Sequence, residues 1–135
     1  MSSPARSGAP AAAYEWARSV LLRGSTLVIP EIADYEVRRE LLRAGKDAGV
    51  RRLDQLTRGF MYLPLRTPHI RKAAELWAEA RRRGTPTAHD VALDGDVILA
   101  SQALSLMADD AETVVATTNP KHLSRFVPAR RWEEI

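Results

Sequence analysis

The stretch "TLVIPEIADYEVRRELLRAG", residues 26–45, changes its period at Pro30. Thr26 to Ile29 is a short β-branched run suited to a buried strand, and Pro30 ends it because proline has no N–H to give to a ladder. From Glu31 onward Ile32, Tyr35, Leu41 and Leu42 are apolar at helical spacing, and Gly45 stands past the end, where a left-handed turn is cheap. A strand that feeds directly into a helix is half of a parallel α/β unit.

The same alternation continues on both sides. Upstream, residues 11–23 place Trp16, Val20 and Leu21 at helical spacing and Gly24 stops the helix. The Ser, Ala and Pro-rich head, residues 1–10, is expected to be disordered, and residues 11–135 to form a single domain. Downstream, "VRRLDQLTRG" reads as a helix and "FMYLPL" as a strand. Thr67 as N-cap and Pro68 as first helical residue open a helix whose stripe is Ile70, Ala73, Ala74, Trp77 and Ala80, closed by Gly84. A "TPTAH" loop, the helix of "LDGDVILASQAL", a "MADDAE" loop, the strand "TVVATT" and an "NPKHLSRF" turn follow. Helices alternating with short buried strands predict an α/β domain with a parallel sheet flanked by helices.

Composition narrows the classes. With 135 residues the chain has the size of one domain with a modest core. Twenty Lys and Arg against 17 Asp and Glu give a formal charge of +3, compatible with a polyanionic partner but not demanding one. The absence of cysteine rules out disulfides and thiolate metal sites. Apolar runs are too short for a membrane span or the core of a signal peptide, so a cytoplasmic protein without membrane association is expected.

Chemistry in an open parallel sheet gathers outside the carboxyl ends of the strands. Three polar sets fall there: Glu31, Asp34 and Glu36 after "TLVIP"; Asp94 and Asp96 at the mouth of a helix; and Thr117, Thr118 and Asn119 closing "TVVATT". Carboxylates converging from separate segments repel one another unless a hard cation lies between them, and oxygen donors without cysteine favour Mg2+ or Mn2+. Each residue also has a plainer role. Asp94 suits the N-cap of a helix from Gly95, and Asp96 in its first turn suits the helix dipole. Glu36 and Glu40 stand among Arg38, Arg39 and Arg43 at ion-pair spacing, and Asn119 before Pro120 is a natural turn residue. His69, His89 and His122 have no ligand-like spacing and read as surface or capping residues. Arg81, Arg82 and Arg83 complement a helix C-terminus on a solvated face.

"VIPEIADYEVRREL", "GTPTAHDVALDGDVILASQAL" and "VVATTNPKHLSRF", in that order and spacing, resemble the PIN-domain family, which includes the VapC-type toxins. The likeness runs from about Trp16 to Ile135. It implies a twisted parallel sheet and a cluster of three or four acidic residues that bind Mg2+ or Mn2+ and hydrolyse RNA phosphodiesters. Position by position, it assigns Glu36 and Asp96 as catalytic metal ligands. Asn119 falls where the family places Asp or Asn, Thr117 or Thr118 matches the preceding Thr, and Asp94 is an auxiliary carboxylate.

The chain departs from the pattern at its start. No "LDTN"-like strand, which supplies the family's central strand and first metal ligand, precedes Trp16. The resemblance therefore predicts a sheet with its usual first strand missing, marginal stability, and weak or absent nuclease activity. It implies RNA as substrate, an antitoxin as partner, and a homodimer. Two alternatives are a non-catalytic PIN-like module that binds a protein and a domain that binds RNA through its arginines alone.

Overall fold

The computed structural model describes residues 9–84, 90–108, 112–117, 120–121 and 123–135. They form two compact units that divide between Pro64 and Leu65.

In the first unit, helix α1 (Ala9–Leu22) leads to strand β1 (Val28–Pro30), helices α2 (Glu31–Arg43) and α3 (Asp47–Gly59), and strand β2 (Met61–Leu63). The two helices make the crossover that parallel pairing requires, and β1 pairs with β2 in the register Val28 to Met61 and Pro30 to Leu63. Pro30 ends the strand and also serves as N-cap of α2, with extended backbone. Ala17, Val20, Ile32 and Leu53 are buried. Helices α2 and α3 approach closely at Gly49, where an added Cβ would lie 2.7 Å from Leu41 Cδ2.

In the second unit, helices α4 (Thr67–Arg82) and α5 (Asp90–Met107) pack together. Strand β3 (Val115–Thr117) then pairs in parallel with β4 (Ala129–Arg131), and a short 3-10 turn at Leu123–Arg125 lies between them in sequence. Ala73 and Val97 meet at the helix pair with Leu76, Ile98 and Phe126 packed around them. Ala100, Ala103 and Val127 continue this core against Leu104, Met107 and Val115. Small residues at 73, 100 and 103 let the backbones come close.

Alternating helices and parallel strands are as expected, but several details differ. The strands form two separate pairs among the described residues rather than one continuous sheet. Strand β4 was not foreseen, because Ala-Arg-Arg carries no apolar signal. Helix α1 already includes Ala9 and Pro10. Helix α4 takes Arg66 as its N-cap and Thr67 as its first residue. Its start is set by His69, whose Nδ1 accepts the Arg66 N–H at 3.0 Å, so no Thr67 side chain is needed there. The α4 stripe also splits. Ala73 and Ala80 are buried, whereas Ile70 is 49% and Trp77 38% exposed, since the buried face of the helix runs through His69, Ala73 and Ala80, with Leu76 packed beside Ala73 and Val97.

The largest correction concerns α5. It begins at Asp90, five residues before Gly95, so Asp94 lies inside the helix and is not its N-cap, and Asp96 lies beyond the first turn. Gly95 is buried within the helix rather than at its start.

Candidate active site

The acids of α2 separate by what holds them. Glu31 and Asp34 occupy the first turn, where the helix dipole favours negative charge. Asp34 is committed on both oxygens: Tyr62 Oη donates to Oδ2 at 2.8 Å, and Arg38 Nε donates to Oδ1 at 3.1 Å. Arg38 also donates to Asp54 Oδ1 of α3 at 2.8 Å, so one guanidinium ties two carboxylates on two helices. Burial, then the bond to Asp34, then the negative charges of Asp34 and Glu31 push the Tyr62 hydroxyl well above its ordinary range.

Glu40 lies on the outer surface, where Arg43 donates to Oε1 from Nε at 3.1 Å and from a terminal nitrogen at 2.9 Å. That hydrogen bond and the adjacent positive charge hold the Glu40 carboxyl below its usual value. The ion-pair reading thus holds for Glu40 with Arg43, whereas Arg38 serves Asp34 and Asp54. Glu36 is half-buried, on the helix that β1 and Pro30 launch.

In the second unit Asp94 and Asp96 lie two positions apart on α5, about 200° around the helix from one another. They cannot share one face. Asp94 is exposed, and Asp96 is half-buried between the buried Gly95 and Val97. Thr117, the last residue of β3, is half-buried; Thr118 and Asn119 lie outside the described residues, as do His89 and His122.

His69 is buried and caps α4. Because its Nδ1 accepts the Arg66 N–H, Nε2 carries the hydrogen and donates to Ser105 Oγ of α5 at 3.2 Å. Ser105 in turn donates to the Gln102 carbonyl at 2.6 Å. The ring is a structural link between two helices. Arg81 lies over the Trp77 ring, 5.0 Å from its centroid, and Arg83 pairs with Glu79, so two of the three arginines that close α4 have intrahelical contacts.

Among the described residues, no three His, Asp or Glu side chains gather as a group able to hold a metal ion. The donor chemistry of Glu36 and Asp96, hard carboxylate oxygens, suits Mg2+ or Mn2+. A cleft of about 120 Å³ in the second unit, walled by Leu76, Glu79, Ala80, Arg83, Arg125 and Phe126, contains none of the acids chosen from sequence. No helix among the described residues is long and apolar enough to cross a membrane.

The residues missed by sequence reasoning are Asp54 and Tyr62, and Arg38, read there as an ion-pair partner of the helix glutamates, serves Asp34 and Asp54 instead. The spacing of Asp34 and Arg38 is a visible i, i+4 pair, but Asp54 and Tyr62 come from other elements and carry no local signal.

Comparison with known proteins gives the lineage. No curated protein sequence matches the chain. The fold is similar to a chain of VapBC2 from Rickettsia felis, solved bound to a DNA fragment from its promoter, with a TM-score of 0.66 at 20% identity; 89% of this chain and 85% of that one are covered. It is also similar to VapBC-1 from nontypeable Haemophilus influenzae, with a TM-score of 0.60 at 20% identity, covering 80% and 75% of the two chains. The model of the PIN domain matches residues 7–125, most of the sequence and parts of both compact units, and the chain belongs to the PIN-domain family.

Proposed function

We propose that the chain is an endoribonuclease of the VapC type, the toxin of a type II toxin-antitoxin pair, hydrolysing RNA phosphodiesters with Mg2+ or Mn2+. The observation that supports this is the match of the PIN-domain model to residues 7–125, a span that includes Glu36 and Asp96, the two acids that fit the family pattern and are both half-buried. Partial burial strengthens the field of a carboxylate and raises its value as an ion ligand.

In this reading Glu36 and Asp96 would be the cation's ligands, as the family pattern assigns them, and the ion would activate water and offset charge on the scissile phosphate. Asn119 would add an amide oxygen, and Thr117 and Thr118 would be auxiliary, as their match to the family pattern implies. Asp94, turned to solvent, contributes charge and not a ligand. The partner is an antitoxin protein, and two copies of the chain associate.

Cleavage of a labelled single-stranded RNA in manganese tests this reading. Slow cleavage that disappears in folded Glu36→Gln and Asp96→Asn supports it, and cleavage that survives both substitutions overturns it. The exposed Tyr35, Val37 and Leu42 on α2 favour a second reading, a non-catalytic PIN-like module that binds a protein through this helix. In that case manganese leaves the melting temperature unchanged, with or without Asp96.

A further inference from the structure

We infer that the outer face of α3 is a landing surface for the phosphate backbone of a single-stranded RNA. Arg51, Arg52 and Arg58 are all exposed on this helix, and Gln55 lies among them. At 100° per residue the four side chains fall within one sector of about 120°, opposite the side that carries the buried Gly49 and Leu53. Arg51 and Arg58 are separated by roughly 10 Å along the axis.

What sets this face apart from α2 is the state of its cations. On α2, Arg38 is held by Asp34 and Asp54, Arg43 by Glu40, and Arg39 lies over the Tyr35 ring with 5.1 Å to its centroid. Arg51, Arg52 and Arg58 pair with no acid among the described residues. The only acid of α3 past its first turn, Asp54, is turned toward α2 and taken by Arg38. Past its first turn the helix therefore carries its negative charge toward α2 and its positive charge outward. An extended polyanion fits such a face. Guanidinium groups grip phosphate oxygens through paired N–H donors without reading bases, and Gln55 adds a neutral donor.

The inference rests on the RNA reading of the preceding section, and the experiment keeps the two apart. Binding of a fluorescent oligouridylate is measured by anisotropy in EDTA, where no metal-dependent cleavage occurs, over a series of salt concentrations. The variant R51Q/R52Q/R58Q retains good helix formers at exposed positions. It is expected to flatten the log-log salt slope by about 2 and weaken binding by about a hundredfold near 0.1 M salt, since each single-strand contact accounts for roughly 0.7 of slope. R58Q alone flattens it by about 0.7, which keeps the test valid if the triple variant folds poorly. R71Q and R82Q on α4 leave the slope unchanged.

Equal losses in the α4 variants, or an unaltered slope in the α3 variants, overturn the inference. So does binding of polyglutamate through α3 with none of the oligouridylate. If RNA binds through α3 but cleavage ignores Glu36 and Asp96, the nuclease reading fails and the landing surface stands.

Discussion

The two units of this chain join their helices by opposite means. Helices α2 and α3 are joined through charge: Arg38 is bonded to Asp34 and Asp54, and Tyr62 closes on the far oxygen of Asp34, while Gly49 lies tight under Leu41. Helices α4 and α5 are joined through small apolar residues, with the polar contact of His69 and Ser105 added. A charged joint on a half-exposed surface depends on salt and tolerates substitution, because water replaces lost partners at modest cost. An apolar joint between close backbones is indifferent to salt and intolerant of volume or charge.

The contrast is broken most severely at Ala100, which is 0% exposed in the second unit. Ala100→Asp buries a carboxylate without a partner and is expected to cost several kcal/mol, comparable to the whole stability of a small domain. Circular dichroism should show loss of the cooperative thermal transition. Arg38→Ala in the first unit leaves Asp34 and Asp54 without their shared cation, yet both have access to water. A loss of about 1–2 kcal/mol is expected, smaller at high salt, measured by urea denaturation at two ionic strengths. If Arg38→Ala proves as damaging as Ala100→Asp, the charged joint is not the softer one.

His69→Ala sharpens the comparison from the other side. It deprives the Arg66 N–H of its acceptor and Ser105 of its donor, at about 1–2 kcal/mol that salt does not change. Tyr62→Phe is the mildest change, about 1 kcal/mol, because Arg38 still holds Asp34. The Tyr62 hydroxyl also gives this joint a pH signature. Its folded-state value lies above the unfolded one, so its contribution is complete below a pH of about 10 and is lost as pH rises beyond that. Alkaline titration of stability should therefore fall more steeply in the parent than in Tyr62→Phe.

Much of the frame was legible along the chain. Pro30 marks the switch from strand to helix, because one ring both ends a ladder and suits the extended N-cap position. Gly24, Gly45 and Gly84 lie just past helix ends with positive φ, as their positions in the sequence predict. Glu36 and Asp96 could be singled out by their matches to a family pattern. Their half-burial could not, since it depends on which elements cover α2 and α5. Asp94 shows the limit of local reading. A short acid before glycine resembles a helix start, yet α5 extends four residues upstream of it.

What the sequence determined by itself is the order of helices and strands, their main punctuation and the family, because backbone propensity, turn chemistry and motif spacing act over a few residues. Tertiary structure alone decided which charges are spent. Arg38 lies 16 residues from Asp54, Asp34 lies 28 from Tyr62, and His69 lies 36 from Ser105. Hydrogen bonds and burial depend on distance in space, and chain folding sets that distance independently of neighbours in sequence.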